Sequence, residues 1–132
     1  MDKNNAWTLL VGRCCMALIF IVAGADKIGG YAGTQEYMQA MGVPGAILPL
    51  VLLTELGGGL AILFGFKTRP VAILLAGFSL VSGIIFHHDF ADQVQAVMFM
   101  KNLAMAGGFL VLAAAGAGDN DLDECSRHQR NI

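Results

Sequence analysis

Polar side chains interrupt stretches of this sequence that are otherwise apolar, and five of them stand out: Lys27, Glu55, His87, Lys101 and Asn102. Glu55 lies well inside its apolar stretch, and Lys101 and Asn102 lie about one turn inside theirs. An ionised side chain in hydrocarbon costs on the order of 3 kcal/mol, so such a residue usually faces the protein interior and has a partner. The sequence therefore predicts a buried polar cluster.

The charges of this cluster do not cancel, because Lys27 and Lys101 face a single carboxylate, Glu55. A surplus positive charge in a low-dielectric pocket favours an anion or an electron-rich oxygen. A quinone carbonyl, a sulfur oxyanion or a lipid phosphate would fit. With a quinone, Lys27, Lys101 and Asn102 would be the ligand-binding residues. Glu55 and His87 would be the catalytic groups, because they could pass protons to a reduced quinone.

The composition of the chain is that of a membrane protein. Of its 132 residues, 56% are hydrophobic and 14% are charged, and the mean hydropathy is +0.64. Soluble domains carry about a quarter charged residues. The net charge of -2, without a basic patch, gives no reason to expect a nucleic acid partner.

Four apolar runs, at 7–28, 46–66, 70–87 and 98–115, are each long enough to predict a membrane-spanning helix, which needs about 20 residues. Residues 1–118 would form one domain, and the polar residues 119–132 a cytoplasmic tail. The predicted fold is an all-α membrane protein, a four-helix transmembrane bundle with a short interfacial amphipathic helix between helices one and two. Lys and Arg outside the spans predict that both termini are cytoplasmic, which gathers the polar cluster in the outer half of the bundle.

The short helix is predicted over 34–41, with Thr34 as its N-cap and Gly42 at its end. Tyr37 and Met38 would belong to its apolar face. A helix of this length cannot span, so we expect it at the membrane interface. Two roles remain open for it: a loop helix that only covers the bundle end, or a lid over the polar cluster.

Cysteine and histidine give little support for metal or thiol chemistry. Cys14 and Cys15 are adjacent, which suits neither a C-x-x-C motif nor a zinc site. His87 and His88 lack further ligands at suitable spacing, so no metal site is predicted. Adjacent histidines cannot both point into the bundle, and we expect one inside and one in water. No motif for a covalently bound cofactor is present.

Several segments together resemble the DoxX family: 23–28 (AGADKI), 37–44 (YMQAMGVP), 55–59 (ELGGG), 63–66 (LFGF), Phe86-His87 and 99–102 (FMKN). The resemblance implies a multi-pass bacterial inner membrane protein whose polar positions include Arg13. Arg13 is thereby added to the ligand-binding residues, and its position about two turns inside the first span predicts in addition that it is buried. The family takes its name from membrane subunits of a thiosulfate:quinone oxidoreductase, and other members are linked to redox or sulfur stress. This chain lacks the cysteine pairs of some redox-active relatives.

Three functions compete at this stage. The first is a quinone-associated membrane subunit, which would need a soluble redox partner to supply electrons. The second is a non-enzymatic membrane protein with a role in assembly or stress tolerance, whose polar cluster fixes helix packing or holds a membrane lipid. The third, a small transporter, is the weakest, because four spans leave little room for alternating access. Glycine-rich helix faces would also allow a homodimer.

Overall fold

The computed structural model describes residues 2–118 and 129–130 of the chain. Its helices are α1 (Lys3–Gly29), α2 (Tyr31–Ala40), α3 (Gly45–Phe64), α4 (Thr68–Phe86) and α5 (Gln93–Ala115). The described residues contain no strand. Of the predicted polar tail, only 129–130 fall within the described part of the chain.

Four of these helices, α1, α3, α4 and α5, are long and apolar enough to cross a membrane. The predicted fold class, an all-α bundle with four spans, is therefore confirmed. Helices α1, α4 and α5 begin before the predicted apolar runs, whereas α3 and α4 end before theirs do, at Phe64 and Phe86. Helix α5 begins at Gln93 rather than at Met98, since the Oδ1 atom of Asp92 accepts a hydrogen bond from the backbone N–H of Val94 at 3.0 Å and caps the helix.

The short helix α2 follows α1 almost without interruption, and its start differs from the prediction. It begins at Tyr31 after a single break at Gly30. Thr34 is not its N-cap, because its hydroxyl lies inside the first turn and donates to the carbonyl of Gly30 at 2.9 Å. The helix ends at Ala40, and the chain then turns at Gly42, whose φ of +82° favours glycine.

The spans pack along the chain, α1 against α3, α3 against α4 and α4 against α5. Close approach of α1 and α3 depends on Gly59. A Cβ atom at this position would lie 2.9 Å from Cγ1 of Ile21 and 3.3 Å from the carbonyl oxygen of Ala17. Small residues at such a position let two helix backbones come together.

An aromatic core fills the middle of the bundle. The ring of Phe20 lies 5.4 Å from that of Phe109, edge to face, and 6.2 Å from that of Phe78. Leu75 and Ile62 are fully buried in the same cluster. Large apolar side chains cover the outside of the spans, as expected for a surface that faces lipid.

Arg69 lies at the end of the bundle where α3 and α5 end. Arg69 donates to the carbonyl oxygens of Ala114 at 3.0 Å and Ala113 at 3.4 Å. These carbonyls belong to the last turn of α5 and have no helical partner. A guanidinium there both satisfies them and complements the helix dipole.

Candidate functional site

A buried ion pair joins α1 to α3 at the opposite end of the bundle. The Nζ atom of Lys27 lies 2.9 Å from Oε1 and 3.0 Å from Oε2 of Glu55. The Glu55 side chain is 6% exposed and that of Lys27 is 29% exposed. Glu55 thus has the partner that a carboxylate inside an apolar span requires, while the ammonium group stays within reach of solvent or a ligand.

The backbone around Glu55 is irregular. Residues Leu53–Gly57 form a turn of π-helix within α3. A π-turn holds one more residue than an α-turn, and such turns occur frequently at functional sites. Neither the apolar run nor Gly57 predicted it, because the choice between α and π depends on how Glu55 and its neighbours pack against α1.

A cavity of about 290 Å³ opens beside this pair, and α2 forms part of its wall. Its walls are mostly apolar, with Lys27, Glu55 and His87 at one polar corner. Three residues of α2 line it, Thr34, Tyr37 and Met38. The Tyr37 ring stacks on Phe86 at the end of α4, with ring centroids 5.5 Å apart. Helix α2 therefore forms part of the wall of the cavity, and its role as a lid stays a prediction.

A second chamber of about 160 Å³ adjoins the first and is lined in part by the same polar residues. Lys101, Asn102, Ser79 and Ser82 line this smaller chamber. The two cavities share a wall that consists of Lys27, Glu55, Phe78, Ser82 and His87. Five of the six predicted site residues thus lie around one end of the bundle, at two adjoining cavities rather than one.

Lys101 lies at the exposed edge of the smaller chamber. Its Nζ atom is 3.5 Å from the sulfur of Met98, and within the described part of the chain it forms no salt bridge. The surplus positive charge that the sequence predicted therefore belongs to Lys101, because Lys27 is neutralised by Glu55.

The two histidines at the end of α4 have different surroundings. His87 lines both cavities, whereas His88 is exposed and its Nδ1 atom lies 2.9 Å from the carbonyl oxygen of Ile85 and 3.1 Å from that of Ile84. His88 thus caps the last turn of α4. Partial burial, and then the nearby Lys101 ammonium, lower the pKa of His87 from its ordinary value. This shift favours the neutral ring, which can both donate and accept a hydrogen bond.

Arg13 lies away from both cavities, at the end of the bundle that Arg69 also occupies. It is 2% exposed, and its guanidinium donates to the carbonyl oxygens of Ala117 at 2.7 Å and Leu63 at 3.2 Å. The expectation of a buried position is met, but the structure does not bring Arg13 to the other five residues. Its contacts are those of a group that holds α1, α3 and the segment after α5 together.

The sequence prediction left out several residues that line the cavities. Ser79, Ser82 and Phe86 are spaced i, i+3 and i+7 along α4, so they share one helix face. That spacing, with His87 one residue further, was a signal that could have placed them at the site. The contribution of Phe78 had no comparable signal, because an aromatic residue in an apolar span fits any buried face.

Fold and cavities together define a small multi-pass helical membrane protein with a mostly apolar cavity beside a buried ion pair at one end. The family model that describes DoxX matches residues 8–88. The chain belongs to the DoxX family.

Curated relatives match over most of the chain. The chain is 58% identical over 123 residues to inner membrane protein YqjF of Escherichia coli (strain K12), which covers 93% of this chain and 95% of that protein. It is 37% identical over 122 residues to inner membrane protein YphA of the same organism, with 87% of each chain covered. It is 33% identical over 85 residues to a Bacillus subtilis (strain 168) protein named "Putative oxidoreductase CatD", with 64% of this chain and 63% of that protein covered. No solved structure matches the chain.

Proposed function

We propose that this protein is an inner membrane subunit that binds the ring of a quinone in the larger cavity, under α2. The observation that carries the proposal is the character of that cavity: an apolar, aromatic-lined space with one polar corner. Ligand pockets typically combine apolar walls with a few placed polar groups, at about 300–1,000 Å³. A volume of about 290 Å³ suits a single substituted ring.

The residues around the cavity fit both the planar ring and the carbonyl oxygens of a quinone. Tyr37 and Phe86 offer aromatic faces to a planar ring. Lys27 and His87 offer N–H donors to a carbonyl oxygen at the polar corner. A bound quinone would supply two-electron redox chemistry. In this proposal Glu55 and His87 would hold or deliver the accompanying protons.

Electrons would come from a partner protein, because the sequence has no motif for a haem, flavin or iron–sulfur cluster. A soluble partner with a redox cofactor is therefore part of the proposal. The name of the Bacillus relative, which includes the word oxidoreductase, is consistent with such a link. The two relatives named as inner membrane proteins support placing this chain in the inner membrane, and the distribution of Lys and Arg supports cytoplasmic termini. A homodimer stays a prediction.

The competing account is structural: the ion pair between Lys27 and Glu55 would only fix α1 against α3. The short Nζ–Oε distances favour this account as much as they favour a functional pair. The two accounts differ in what they expect of the cavity, since only the first requires an occupant.

The deciding experiment measures small molecules that co-purify with the protein in mild detergent. Solvent extraction and mass spectrometry should find stoichiometric quinone in the native chain. Val51 lines the larger cavity, so Val51→Trp should fill it and remove the quinone. Leu50→Trp is the matched control, because Leu50 is the neighbouring residue of α3 and is 62% exposed. It should leave the quinone content unchanged.

Glu55→Gln is the third variant. The quinone proposal expects this variant to lose the bound quinone, because the substitution removes the charge of the carboxylate. Lipid alone, in amounts that none of these substitutions changes, would overturn the quinone proposal. If Glu55→Gln also lowered thermal stability while the quinone content of every variant was nil, the structural account would replace it.

A further inference from the structure

Asn102 is a buried polar side chain whose amide has no protein partner. It lies on α5, is 8% exposed and lines the smaller chamber. Among the described residues its side chain forms no hydrogen bond. Its amide atoms are not among the fully solvent-excluded atoms that lack a partner, so water can reach them from the chamber, and a polar group in such a position is normally satisfied by water or a ligand. The amide of Asn102 therefore indicates that the smaller chamber is occupied.

Other groups around the chamber point to water as the occupant. The Ser82 hydroxyl and the His87 ring also line the chamber and have no side-chain hydrogen bond within the described residues. The chamber of about 160 Å³ has room for several water molecules, since each takes about 30 Å³ in the liquid. Lys101 is exposed at its edge, so the chamber meets the surface of the bundle there.

We propose that the smaller chamber is a water-filled proton path between the surface at Lys101 and the carboxylate of Glu55, with Asn102 orienting the waters. The inference rests on the proposed function, which requires protons beside the ring. A hydronium ion at the outer end loses a proton. Each water in turn forms one O–H bond and breaks another, until the Glu55 carboxylate becomes a carboxylic acid and a water remains in place of the hydronium.

The path is separate from the space that holds the ring. Tyr37 and Val51 line only the larger cavity, whereas Met105 and Asn102 line only the smaller chamber. Glu55 belongs to the shared wall and touches both. Water and ligand would thus reach the same carboxylate through different cavities, and a substitution that lines only one cavity can block one route without the other.

Cysteine labelling tests whether water enters the chamber. In a chain with Cys14, Cys15 and Cys125 changed to Ser, Met105→Cys places a thiol one turn deeper than Lys101. Leu103→Cys is the control on the same helix, because Leu103 is 45% exposed on the apolar outer surface. Methanethiosulfonates react with the ionised thiol, which requires water. We expect sulfonatoethyl methanethiosulfonate to label Met105→Cys at least tenfold faster than Leu103→Cys.

Two further substitutions identify the route. Asn102→Leu should slow the labelling of Met105→Cys about tenfold, and Asn102→Ser, which keeps a polar group and leaves space for water, should preserve it. Val51→Trp should have no effect on labelling. A time-resolved infrared measurement of the Glu55 carboxylate band after a pH jump, with Glu55→Gln to assign the band, should show the same dependence on Asn102.

Equal labelling of Met105→Cys and Leu103→Cys would overturn the inference. The inference would also be overturned if Val51→Trp, and not Asn102→Leu, slowed the labelling of Met105→Cys, because water would then arrive through the larger cavity. The first comparison needs no change at Asn102, so it holds even where Asn102→Leu does not fold. Absence of quinone from all preparations would overturn the proposed function alone and leave the labelling pattern unaffected.

Discussion

Removal of Lys27 should destabilise the protein more than removal of Glu55, although both substitutions break the same ion pair. The Glu55 side chain is 6% exposed and the Lys27 side chain is 29% exposed. In Lys27→Met the carboxylate stays buried without a partner. In Glu55→Gln the lysine keeps its long side chain and can move its ammonium group toward water.

The size of the effect follows from the geometry. At 2.9 Å and an effective dielectric constant of about 20, the attraction is about 6 kcal/mol before desolvation is subtracted. Breaking a buried pair by removing one partner typically costs about 3–5 kcal/mol, which is the expectation for Lys27→Met. For Glu55→Gln we expect about 1–2 kcal/mol, because the remaining charge is partly solvated. The double variant should be more stable than the sum of the two losses implies, by about 2 kcal/mol.

The assay is a double-mutant cycle of unfolding free energies in mild detergent, with the native chain, both single variants and the double variant. Equal losses for the two single variants would refute the argument from burial. Strict additivity in the double variant would show that the two groups do not interact in solution. Either result would also weaken the placement of Glu55 in the shared wall of the two cavities.

Three more perturbations have expected outcomes. Gly24→Ala would put a Cβ atom 2.6 Å from Cγ of Leu56, so it should cost about 1–3 kcal/mol of unfolding free energy, while Gly12→Ala on the same helix meets nothing within 4 Å and should cost nothing measurable. Equal melting temperatures for these two variants would contradict the close approach of α1 and α3. Arg13→Met should lower the melting temperature, since it leaves buried carbonyls without donors, yet leave co-purified quinone unchanged; a loss of quinone in the folded variant would connect Arg13 to the site. Tyr37→Ala removes the stack on the end of α4, and proteolysis should then cut α2 faster, with native resistance arguing against a lid.

The bundle and its polar end could be predicted from the sequence because both depend on local patterns. Apolar runs of sufficient length define the spans, and alternate spans run in opposite directions. Lys27, in the last turn of the first span, therefore meets the N-terminal half of the second span, where Glu55 lies. The depth of each polar residue in its span then determines its height in the bundle, and no tertiary detail is needed.

Features that depend on packing could not be predicted in this way. The π-turn at Glu55, the division of the polar cluster into two cavities and the stack of Tyr37 on Phe86 each require the relative positions of two or more helices. Arg13 shows the same limit. Its depth indicated burial, but only the positions of Leu63 and Ala117 show that its guanidinium is occupied by carbonyl oxygens at the other end.

The two ends of the bundle differ in a way that constrains turnover. Guanidinium groups seal one end against backbone carbonyls, and the rings of Phe20 and Phe109 close the middle. Both cavities lie at the other end, and within the described residues the aromatic core separates them from the end that the arginines occupy. A molecule that enters the larger cavity beside α2 would therefore leave by the route through which it came, and each occupant would depart before its successor arrives. Any solute carried between the two faces of a membrane would first have to displace the rings of Phe20 and Phe109.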